Sequence, residues 1–141
     1  MSKKVFFLLI ITTFCLSCAT FYDIDMYRSK GYSIATTYNH DWENVYDVMK
    51  IVLNNDEDLS IYLEKMNCTL EYAKGEKRIW VTIKGLGMGA GIYFSPLSDS
   101  KTKVEFVRSR FNKIFFSDEE IEQIFKKSMD ILRQNAMGSW C

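Results

Sequence analysis

Apolar residues recur along this chain in two rhythms. Over Gly31–Tyr38, the residues Tyr32, Ile34 and Thr36 alternate with Ser33, Ala35 and Thr37, the two-residue period of a half-buried strand. Asn39-His40-Asp41 then supplies side chains suited to a helix start. Behind them Trp42, Val45, Tyr46, Met49, Val52 and Leu53 fall on one helical face, and Asn54-Asn55 closes the segment. A period of two returns with Leu59, Ile61 and Leu63, and again with Cys68, Leu70 and Tyr72. After a Lys74-Gly75-Glu76 turn come Ile79, Val81 and Ile83. A further strand is expected from about Ala90 to Phe94, ending at Ser95-Pro96, and another from Lys103 to Arg108 beyond the polar turn Ser98-Asp99-Ser100-Lys101. Ser117-Asp118-Glu119-Glu120 has the form of a capping box. Ile121, Ile124, Phe125, Ser128, Met129 and Leu132 follow it as one helical stripe.

These rhythms predict an α+β fold: an antiparallel sheet of about four to five strands with two helices packed on one face, in the order β-α-β-β-β-β-α. The expected organisation is an export segment over 1–17, a tether over 18–30, one domain over 31–135 and a short tail over 136–141. Residues 19–30 carry neither period. Phe21, Tyr22, Ile24 and Tyr27 suit packing on the domain better than free extension.

The first residues change the picture most. Met1-Ser2-Lys3-Lys4 is a short positive region, and Val5–Leu16 is an apolar stretch of twelve residues ahead of Ser17. That is the form of a secretory signal, too short for the ~20 apolar residues that a spanning helix needs. The stretch Leu16-Ser17-Cys18 resembles a bacterial lipobox, although Cys15 stands where that pattern prefers Leu. Cys15 itself follows bulky Phe14 and makes the poorer acylation site. The resemblance implies cleavage after Ser17 and lipid attachment, as diacylglycerol and palmitate, at Cys18. It implies a cell-envelope location, and the outer membrane in a Gram-negative source, because Ala19 rather than Asp follows the cysteine. With about 0.8 kcal/mol per buried methylene, two or three chains would hold the protein on the membrane stably.

Composition adds bounds. Removing the first 17 of 141 residues leaves 124, enough for one hydrophobic core. The 18 basic and 18 acidic residues of the whole chain then become 16 against 18, since only Lys3 and Lys4 are lost. A formal charge near −2 with short, mixed basic runs argues against nucleic-acid binding.

Catalytic chemistry is not legible. His40 is the single histidine, has no readable nucleophile beside it, and suits a capping or solvent role. The chain from Cys18 onward holds no Cys-x-x-Cys pair, so neither a zinc site nor any cofactor is expected. Asp56-Glu57-Asp58 reads as a solvated turn. Gly85, Gly87, Gly89 and Gly91 fit no phosphate-loop spacing; strand periodicity would place all four on one face, as a patch where a helix of the same domain or a partner packs closely. Cys68 and Cys141 would be able to pair in an oxidising space, or Cys68 would be a buried thiol.

The order of elements also resembles small bacterial envelope lipoproteins with a Trp-bearing first helix. Their meander carries a strand, Pro-Leu, polar turn, Thr-Lys-Val sequence, here Phe94-Ser95-Pro96-Leu97 and Thr102-Lys103-Val104. Those motifs are structural. The expected function is therefore a non-enzymatic, membrane-anchored envelope component acting through a protein partner; the alternative is a module binding a small apolar ligand between helices and sheet.

Overall fold

The computed structural model describes residues 3–4, 24–25, 27–31, 33–84, 87–108 and 116–138. Its elements are β1 (Ser33–Tyr38), α1 (Trp42–Asn55), α2 (Glu57–Lys65), β2 (Cys68–Ala73), β3 (Arg78–Ile83), β4 (Gly87–Ser98), β5 (Lys101–Arg108) and α3 (Asp118–Gly138). The expected α+β class holds: five antiparallel strands form one sheet in the order β1-β5-β4-β3-β2.

That order explains the helices. β1 pairs with the last strand, so the chain must cross the sheet before the meander begins at its far edge. α1 and α2 make that crossing. Asp41 caps α1, its carboxylate accepting from the Asn44 amide at 3.2 Å, and Val45, Tyr46, Met49, Val52 and Leu53 bury one stripe. α2 corrects the strand expected over Leu59, Ile61 and Leu63. Asp56 accepts from the Leu59 amide at 3.1 Å and starts a helix. Leu59 and Leu63, four apart, go into the core while Ile61 stays 54% exposed. The turn expected at 56–58 is thus a helix N-terminus, where the acids suit the dipole.

α1 and α3 pack against each other over the sheet, as expected of the two helices. Tyr38, Ile79, Val81, Ile92, Phe94, Val104 and Phe106 meet them from below in the main core. Ser117 caps α3, its hydroxyl accepting from the Glu120 amide at 3.2 Å. Arg108, at the end of β5, donates to the Phe116 carbonyl and pairs with Asp118, fastening the start of α3. β4 does not stop at Pro96 but continues to Ser98, with a shift of register between Pro96 and Ser98.

The opposite sheet face is covered over β3, β4 and β5. Trp80, Tyr93 and Val107 form a second cluster with Ile24, which is 1% exposed, and Tyr27 packs beside it. The described part of the expected tether is therefore part of the domain.

Candidate functional site

The most built polar arrangement lies where residues 24–31 cross the sheet. Ile24 fills the hydrophobic cluster, and the segment turns into β1 at Gly31, whose φ of +80° is the left-handed region that glycine tolerates. Arg28 is the centre. Its guanidinium donates to Glu105 at 3.0 Å and to Ser95 at 3.3 Å, and it stacks 4.1 Å from the ring centroid of Tyr93. The Glu105 side chain is 11% exposed, so its charge leans on that one partner. Tyr93 donates to Asp25 at 2.7 Å. Burial pushes the Tyr93 phenol well above its usual pKa, and the bond to Asp25 adds to that. Arg78 completes the cluster from β3, 5.3 Å from the Trp80 ring and 5.6 Å from that of Tyr93. The result is a strap: two hydrogen-bonded acid partners, Asp25 and Glu105, one stacked cation and one buried aliphatic side chain hold the segment on the sheet.

The glycines are divided by this packing. Gly91 pairs with Trp80, and a Cβ there would stand 3.0 Å from the indole and 3.1 Å from Tyr93. Its bare backbone gives the room for that T-shaped aromatic pair, whose centroids are 5.5 Å apart. Gly91 is thus covered from within the chain. The expectation that all four glycines share one face is corrected: the register shifts between Val81 and Thr82, so the alternation changes phase at Gly89, and Gly87 comes opposite Ile83. Gly85 lies outside the described residues.

Cys68 is a free, buried thiol donating to the Met66 carbonyl at 3.5 Å, and burial raises its pKa. Cys18 and Cys141 lie outside the described residues. His40 does not cap α1, a role that Asp41 fills; its carbonyl accepts from Thr102 at 2.9 Å. Among the described residues no group of His, Cys, Asp and Glu could hold a metal ion.

Aromatic rings pack the centre of the helix–sheet interface: Tyr46 tilts on Phe94 with centroids 4.8 Å apart, and Phe106 meets Phe116 at the same distance. The larger cavities described are open ones at the surface. One, about 330 Å³, lies between the starts of α2 and α3 and is lined by Asp56, Asp58, Tyr62, Glu120 and Lys127 around Leu59 and Ile124. Another, about 430 Å³, is a groove between β1 and α3 floored by Ile34, Phe125 and Met129. No protein-family model, characterised protein or solved structure matches this chain.

Sequence reasoning missed the strap. Glu105 sits in a clean alternation with Val104 and Phe106, which reads as a solvent-facing position. Only the aromatic and aliphatic residues of the segment hinted that it would pack.

Proposed function

We infer that this chain is a bacterial lipoprotein, acylated at Cys18, whose domain is held close to its membrane and acts without catalysis by contacting an envelope protein. The observation that supports this reading is the stretch Leu16-Ser17-Cys18, behind a positive patch and an apolar run and only a few residues ahead of the strap. Only five residues stand between Cys18 and Ile24, and an extended chain gains at most ~3.6 Å per residue, so lipid and domain are separated by at most about 20 Å. A folded body on so short a link samples a thin layer above the headgroups. Ala19 gives the outer membrane in a Gram-negative cell. A partner reading fits the packed centre of the core better than the apolar-ligand alternative, because aromatic side chains occupy that centre and the groove left between β1 and α3 lies open at the surface.

Fractionation of cells producing the full chain tests the anchor. The unaltered chain is expected in the membrane fraction and extractable only with detergent. Cys18→Ala is expected to stay uncleaved or to leave that fraction under high salt without losing its fold. Equal detergent-resolved behaviour of both, with an unlipidated mature protein, would sink the reading.

A further inference from the structure

The groove between β1 and α3 has features that point to one occupant. Among the described residues β1 is an edge strand, paired only with β5. Edge strands are normally guarded by charges, proline or a bulge, because their unpaired backbone groups recruit other strands. Ser33-Ile34-Ala35-Thr36-Thr37-Tyr38 has no charge and no proline, and its register with β5 is unbroken over all six positions. The opposite edge, β2, carries Glu71 and runs into the Lys74–Glu76 turn.

Above the unguarded edge lies α3, joined to it where Tyr38 and Ser128 share a hydrogen bond of 2.7 Å. The exposed charges of α3 beside the groove run Glu122, Lys126, Asp130, Arg133, spaced to share one side of the helix. None of the four joins a salt bridge among the described residues. Their order is minus, plus, minus, plus. An antiparallel copy of the same helix presents plus, minus, plus, minus. Such a sequence is complementary to itself under a two-fold axis, the commonest symmetry of homodimers. The same axis would lay β1 antiparallel on β1, because both elements pass the groove at their middles.

We propose that this face binds a second copy of the chain, joining two sheets edge to edge through β1 and stacking α3 on α3. Glu122 of one copy then meets Arg133 of the other, Lys126 meets Asp130, and Ile34 and Met129 are covered in the middle. This names the partner for the interaction role inferred above and rests on that role, though not on the anchor.

Sedimentation of the full chain in detergent and reductant, over a dilution series, decides it. The unaltered chain is expected to run as a reversible dimer. Lys126→Glu places like charges across the axis twice, and should weaken the dimer by about tenfold or more. K126E combined with D130K reverses both partners and should restore it. Circular dichroism of each variant confirms that the fold is kept. A monomer at every concentration overturns the proposal, as does a dimer indifferent to K126E. A lipidated N-terminal peptide on such a monomer would leave the anchor reading standing.

Discussion

Tyr38 shows how a single buried polar group is accommodated and how its burial ties stability to pH. Its hydroxyl lies within 2.7 Å of Ser128 and also reaches the Phe125 carbonyl at 3.5 Å, deep under α3. Burial pushes its pKa from 10 up to about 12, partly offset by the bond to Ser128. A raised phenol pKa means that the folded state holds the proton more tightly than the unfolded chain does. The stabilisation is therefore complete below pH 10 and is lost as pH rises from 10 towards 12, by about 1.4 kcal/mol per unit of difference. Thermal melts at rising pH should show the midpoint falling above pH 10, and Tyr38→Phe should make that fall shallower, with Tyr46 and Tyr93 carrying the rest. Arg28→Ala is expected to cost about 1–3 kcal/mol in urea unfolding, because the nearly buried Glu105 carboxylate loses its cation. The figure is kept below that for a fully buried pair because Arg28 is itself 34% exposed. Gly91→Ala should cost a similar amount, about 1–3 kcal/mol, since Trp80 and Tyr93 must give way to the new methyl group. Gly91 was visible in the sequence as a place of close approach. What approaches it was not, because Trp80 is brought there by strand pairing.

Among the elements, α2 is the instructive one. Leu59, Ile61 and Leu63 alternate, and alternation over so short a run fits either period. Leu59 and Leu63 are also four apart, and the carboxylate of Asp56 decides between the two by accepting from the Leu59 amide. Asp56→Ala should therefore cost about 1 kcal/mol, read from chemical unfolding, with far-ultraviolet dichroism losing helix signal before strand signal. The longer elements were legible for a physical reason: α1 and α3 repeat their stripe over several turns, and Ser117 and Asp41 mark their starts with capping hydrogen bonds. The glycine-rich start of β4 was less so. A bulge changes the facing of every residue before it, and no local residue pattern announces the shift between Val81 and Thr82.

At the scale of the whole molecule, helices cover one face of the sheet and the strap covers the strands β3, β4 and β5 on the other. The class of the fold and the two-helix layer could be read from periodicity, whereas the strap could not, since Arg28, Glu105, Ser95 and Tyr93 come from three distant segments. In the sequence, the proposed function rests only on the amino end, where a positive patch, an apolar run and Leu16-Ser17-Cys18 stand together. Anchor and domain meet in one proposed design: a lipid at Cys18, a link of about 20 Å at most, and a strap that fixes where the link enters the domain. The intact mass of the protein recovered from membranes tests that design most directly, together with fragmentation of its N-terminal peptide. The expected result is a chain beginning at Cys18 whose mass exceeds the sequence from that residue by a diacylglyceryl group and, in a fully processed form, one further acyl chain. A mature protein beginning at another residue, or one with an unmodified Cys18 thiol, would contradict it.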